Sequence, residues 1–132
     1  MLNSQSGLAG LSSTGGDLRE LEKLAGEGNE AATLALDVFA YRVAKYIGSY
    51  AVALEGLDAI AFCGGIGEHS SSMRQRICSR LGFLGIKLDE AGPNDHGQED
   101  AVRIDAGGVV SVWVVRTDEE RQIARETYRL TR

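Results

Sequence analysis

The segment Leu57–Phe62, LDAIAF, is nearly all apolar and leads through Cys63 into GGIGE. A short run with so little polar alternation reads as a strand covered on both faces, inside a parallel or mixed sheet. Glycines at the end of such a strand permit tight turning and a close approach of the backbone to whatever lies there. Met73, Ile77 and Leu81 then recur every four residues, which predicts a helix over 70–81, with Arg74, Arg76 and Arg80 off that stripe and facing solvent. Strand, glycine turn and helix in succession point to an α/β class, with a parallel or mixed sheet flanked by helices.

The flanking sequence agrees. Residues 1–16 are rich in Gly and Ser and read as loop, docked by Leu2, Leu8 and Leu11. Asp17 with Glu20 three residues on fits an N-cap and its capping-box partner, opening a helix to about Ala25. Between Glu30 and Leu54, apolar residues at Leu36, Phe39, Val43, Ile47, Tyr50 and Leu54 mark one face of a long amphipathic helix. Ile86–Leu88 reads as a short strand, and Asp89–Glu99, which holds the sole proline, as an exposed loop. Val102–Ile104 and Val109–Val115 read as strands joined through residues 105–108 in a hairpin. The final helix, opened by Thr117-Asp118-Glu119-Glu120, is expected to turn Ile123, Ala124, Thr127 and Leu130 inward. With no internal repeat and no linker, residues 1–132 are expected to form one domain.

Composition bounds the partners. The 132 residues carry a formal net charge of −5, so no basic footprint exists for nucleic acid or an anionic membrane. An anionic ligand would need local help from backbone amides, an arginine or a metal ion. The N-terminal stretch lacks the basic and apolar regions of a signal peptide, and a cytoplasmic location is expected. Cys63 and Cys78 lack CxxC spacing and read as reduced core thiols.

Three segments can carry chemistry, each with a plainer structural reading. GGIGE offers a turn and helix amides to a phosphate, yet it lacks the lysine of a Walker A loop and the spacing of GxGxxG. Gly15-Gly16-Asp17-Leu18-Arg19 could approach a nucleotide, or simply be a capped helix with a surface arginine. The carboxylates of residues 118–120 could hold Mg²⁺, which takes oxygen ligands, while Thr117-x-x-Glu120 is also a capping box and leaves Glu119 freer for another task.

Taken in order, the blocks LNSQSGLAGLS…GGDLREL, ALDVFAYRVAKYIGSYAVALEGLDAIAFCGGIGEHS, LGFLGIKLD and RTDEERQIARETYRL resemble the C-terminal part of acetate kinase and its propionate and butyrate kinase relatives. The resemblance covers nearly the whole chain. It implies a ribonuclease H-like lobe of the sugar kinase/Hsp70/actin superfamily, in which nucleotide binds in a cleft between two lobes. By this resemblance Asp17, Leu18 and Arg19 contact the nucleotide from one side, Gly65, Ile66, Gly67, Glu68 and His69 form the second nucleotide loop, and Glu119 helps hold Mg²⁺ beside the phosphates. The implied reaction is reversible phosphoryl transfer from ATP to a short-chain carboxylate, with Mg²⁺ and ATP or ADP bound.

Family members are roughly three times this length, as two lobes require. The N-terminal lobe, with its acceptor pocket and catalytic residues, has no counterpart here, so no catalytic residue is assigned and the chain is expected to be inactive alone. A homodimer through this lobe, a separate N-terminal lobe, or a non-enzymatic oligomerisation or partner-binding role is also implied. The chain departs from the family pattern at His69, where Asn is usual, at Gly15-Gly16, where a Ser pair is usual, and at Arg116, where Pro is usual.

Overall fold

A computed structural model of the chain describes residues 7–89 and 99–131. Leu8–Ser12 forms a short helix, α1, where the glycine and serine content predicts loop; Leu8 packs on the core while Leu11 stays exposed. Leu2 lies outside the described residues. Helix α2 spans Leu18–Gly26, capped by Asp17, whose Oδ1 accepts from the Arg19 amide at 2.9 Å. Helix α3, Glu30–Ala53, starts where Asn29 Oδ1 accepts from the Ala32 amide at 2.9 Å. Its 24 residues make it about 36 Å long at the α-helical rise.

The buried face of α3 differs from the expected stripe. Leu36 is buried, but Phe39, Val43 and Ile47 are only partly so, and Tyr50 and Leu54 are exposed. The closest packing instead uses Ala32, Ala35, Ala40 and Ala44, and α1, α2 and α5 (below) all lie against this helix. Small side chains let neighbouring backbones approach, which a stripe of large apolar residues does not reveal.

Strand β1, Ala59–Phe62, leads into α4, Gly64–His69, and then α5, Ser71–Cys78. The glycines therefore sit inside a short helix rather than in a loop before one, and the run expected as a single helix over 70–81 starts afresh at Ser70, whose Oγ caps the Met73 amide at 3.0 Å. Met73, Ile77 and Leu81 are buried as the spacing predicts. A single 3-10 turn at Gly82–Leu84 follows, and Leu88 makes one bridge to Asp105 in place of a full strand. Most of the expected 89–99 loop lies outside the described residues.

Strands β2, Ala101–Arg103, and β3, Ser111–Val115, pair antiparallel, and β1 pairs parallel with β3, giving the mixed order β1-β3-β2. Ile60, Phe62, Val112 and Val114 form the buried face. The opposite face leaves Ala59 and Ala61 exposed, so the strand expected to be covered on both faces is covered on one. The β2–β3 connection closes around the Asp105 side chain, which is fully withdrawn from solvent. It accepts from Arg103 Nε at 2.7 Å and Nη2 at 2.9 Å, and from the Gly107 and Val112 amides at 3.0 and 2.8 Å. The Arg103 guanidinium first, then the two amides, hold its carboxyl well below the usual carboxylate range.

Helix α6, Glu119–Leu130, closes the chain. Ile123, Ala124, Thr127 and Leu130 do not turn inward, because none of its side chains is buried. The helix is amphipathic, yet among the described residues nothing covers its apolar face. No helix among the described residues is long and apolar enough to cross a membrane.

Candidate functional site

Parallel pairing of β1 with β3 puts Phe62 beside Val114, so the chain leaves the sheet twice at neighbouring points. After β1 it enters α4 through Cys63 and Gly64; after β3 it passes Arg116 and Thr117 into α6. Between these exits lies an open cleft of about 340 Å³, lined by Gly64, Gly65, Glu68 and His69 on one side and residues 117–120 on the other. The ends of adjacent parallel strands are a common place for ligands in α/β folds.

Glu68 joins the two sides. Its residue is only 5% exposed. Oε1 accepts from the Gly64 amide at 2.9 Å, the first amide of α4, and from Thr117 twice, from the amide at 2.9 Å and from Oγ1 at 2.6 Å. Burying a carboxylate is costly unless hydrogen bonds replace its water, and these donors do so. Behind it, Arg74 is 2% exposed and donates from Nη1 to the carbonyls of Gly67 at 2.7 Å and Glu68 at 3.0 Å. It thereby satisfies carbonyls at the end of α4, which a six-residue helix cannot pair internally. Arg74 was expected in solvent; only Arg76 and Arg80 are partly exposed, both on Asp37 Oδ1 at 2.8 and 3.2 Å.

The helix conforms to its surroundings through two glycines. Gly64 adopts φ +69°, open to glycine at little cost. A Cβ on Gly67 would stand 3.0 Å from the Phe62 carbonyl carbon, so α4 lies directly on the end of β1. Gly65 faces open space.

The acidic corner is framed one residue later than its sequence suggests. Asp118, not Thr117, caps α6, its Oδ1 accepting from the Arg121 amide at 2.9 Å. Thr117 is not the cap because its hydroxyl proton and amide both go to Glu68. Glu119 and Glu120 occupy the exposed first turn at the cleft.

The remaining expected contacts are placed differently. Asp17 and Arg19 form an exposed ion pair at 3.2 Å, and neither lines the cleft. The pairing lowers the Asp17 pKa and raises that of Arg19. The Leu18 side chain is buried in the core, which leaves only its backbone to meet a ligand. Ile66 is partly exposed on α4, outside the cleft lining. His69 lines the cleft and also a neighbouring groove of about 410 Å³ between α2 and the α4–α5 corner. In that groove Glu22 accepts from Ser70 Oγ at 2.5 Å and from Ser72 Oγ, an arrangement that neither residue's spacing suggests. Cys78 is buried and Cys63 exposed beside Gly64, so only one of the two thiols is a core residue.

The donors at the corner suit Mg²⁺ in one specific way. They are hard carboxylate oxygens, but among the described residues no three potential ligands converge. Mg²⁺ keeps several waters and takes one or two protein carboxylates, so the exposed carboxylates of Glu119 and Glu120 are of the kind that could hold such an ion.

Comparison with known proteins places the chain. The model of the acetokinase family matches residues 1–125. The acetate kinase of Heliobacterium modesticaldum is 51% identical over 130 residues, covering 98% of this chain and 32% of the relative. The crystal structure of Porphyromonas gingivalis acetate kinase matches 99% of this chain and 33% of its own, with TM-score 0.84 and 39% identity. A propionate kinase from Francisella tularensis matches 96% of this chain and 32% of its own, with TM-score 0.82 and 38% identity. The chain thus spans about a third of the length of the relatives it matches. The fold is accordingly that of these kinases, an α/β lobe of the actin and Hsp70 type.

Proposed function

Because the chain belongs to the acetokinase family, we propose that it forms the nucleotide- and magnesium-side lobe of a phosphotransferase moving the γ-phosphoryl group of ATP reversibly to acetate or another short-chain carboxylate. The observation that carries this reading is the Glu68 bridge, which holds a glycine-rich helix start and an acidic helix start on opposite sides of one cleft.

Phosphoryl transfer asks a protein mainly to position groups and stabilise charge. The first α4 amide is already given to Glu68, so the nucleotide phosphates approach the backbone at Gly65, where a side chain would obstruct them. Glu119 would hold a Mg²⁺ ion that comes with the nucleotide, and that ion would supply neutralisation of phosphate charge. His69 borders the same cleft, and its imidazole offers a donor or an acceptor to the nucleotide. Asp17, Leu18 and Arg19 contribute from the α2 start, with Arg19 exchanging its exposed partner Asp17 for the ligand. The acceptor site is assigned outside these 132 residues, so the chain alone is expected to give no turnover in an acetyl phosphate assay.

Calorimetry with Mg-ADP tests the reading: binding in the micromolar range supports it, and no heat at millimolar nucleotide refutes it. A second reading has its own observation. Tyr41, Tyr46, Tyr50, Val52 and Leu54 are all exposed on or just beyond α3, a surface suited to a homodimer or another partner. Sedimentation of the chain tests self-association; failure to bind nucleotide together with a stable dimer favours a purely associative role. The proposed location is cytoplasmic.

A further inference from the structure

We propose that Glu68 is a positioning residue, braced by Arg74, that sets the distance between the α4 start and the magnesium-binding Glu119 without itself contacting nucleotide. The inference rests on the nucleotide-site reading above and goes beyond it, since the family resemblance puts Glu68 among the nucleotide contacts.

The argument is geometric. The Glu68 carboxylate is buried, and its Oε1 already accepts from Gly64 and from both donors of Thr117. Thr117 immediately precedes the Asp118 cap, and Glu119 is the first residue of α6. Since α6 buries none of its own side chains, its origin is fixed by the segment before it, where Thr117 is anchored. Arg74 holds the main chain of the same glutamate through the carbonyls of Gly67 and Glu68. Moving the Glu68 carboxylate would therefore displace the Glu119 side of the cleft relative to Gly65. A Mg²⁺ ion held by Glu119 beside the nucleotide would respond to that displacement, since it tolerates little departure from its preferred ligand geometry.

The experiment measures ADP affinity in the presence of Mg²⁺ and in a chelator, for wild type, Glu68→Gln and Thr117→Val. The valine keeps the residue's shape and its amide but removes the Oγ1 donor, so it guards against a glutamine variant that fails to fold. Thermal melts establish that each variant is native. The expected result is a loss on the order of tenfold in Mg-ADP affinity, as for other groups that orient metal ligands, with chelated ADP affinity nearly unchanged. Combining Glu68→Gln with Glu119→Gln should give little further loss of the Mg²⁺-dependent gain, because both act through one ion. Equal weakening with and without Mg²⁺ overturns the positioning role, as does an unchanged Mg²⁺-dependent gain in both folded variants. A wild-type chain that binds no ADP overturns the nucleotide-site reading, and this proposal with it.

Discussion

Gly65→Ala should make the protein more stable and a poorer nucleotide binder. Gly65 lies in α4 with a φ that other residues adopt, and a Cβ there would meet no heavy atom within 4 Å. Removing glycine's backbone freedom from a helix contributes about 0.5–1 kcal/mol. For a chain of this size that raises the melting temperature by roughly 2–5 °C. The added methyl projects into the space where phosphates are proposed to approach the backbone. Crowding of that kind costs about 1–3 kcal/mol, or roughly 5- to 150-fold in affinity. Gly67→Ala is the control with the opposite stability effect, since its Cβ would lie 3.0 Å from the Phe62 carbonyl carbon and 3.4 Å from Phe62 Cα. That contact is with backbone, which cannot step aside, so destabilisation of about 1–3 kcal/mol outweighs the helix gain. The assays are thermal melts and Mg-ADP calorimetry on both variants. A folded Gly65→Ala chain that binds Mg-ADP like wild type would refute the proposed approach at that amide. Equal destabilisation by the two alanines would refute the packing argument.

Three further outcomes follow from other parts of the molecule. Asp105 is held below its ordinary carboxylate range by Arg103 and two amides, so its contribution is full above about pH 4 and fades as pH falls through its lowered native pKa; melts from pH 7 to 2 should fall more steeply for wild type than for Asp105→Asn, and parallel curves would contradict this. Burial pushes the Cys78 thiol up to about 12, outweighing the nearby Arg74 charge, while Cys63 is exposed; a thiol reagent at pH 8 should therefore modify Cys63 in the native chain and both cysteines only in denaturant, and rapid native reaction at Cys78 would contradict its burial. Deleting residues 121–132 should leave cooperative melting intact and change stability by less than about 0.5 kcal/mol, because α6 buries no side chain; loss of the cooperative transition would show that the helix supports the core.

The expected elements were recognisable where one residue's neighbours in sequence decide its environment. Asp17 capping α2, the Met73–Ile77–Leu81 face and the β2–β3 hairpin all follow from local chemistry or spacing. Periodicity failed where burial depends on what lies opposite. The α3 stripe of large residues runs past its packing partners, so Tyr50 and Leu54 are exposed while alanines make the close contacts. The α6 stripe is genuine, but the described residues contain nothing to receive it. In each case spacing identified an apolar face without identifying its partner.

The cleft required a different kind of information, namely where buried charges find their partners. Arg74 lies off the apolar stripe of its helix, and off-stripe arginines ordinarily belong in water; this one is buried because the short α4 presents unpaired carbonyls to it. Thr117 matches the first position of a capping box, yet its hydroxyl goes to a carboxylate 49 residues away in sequence. Parallel pairing of β1 with β3 is what brings those residues together, and a connection of that length leaves no local pattern in either segment. The consequence bears on GGIGE itself. Two of its glycines answer to the fold, Gly64 by its positive φ and Gly67 by its contact with β1. Gly65 has neither constraint, so of the three it is the position where alanine separates the demands of the fold from those of the proposed ligand.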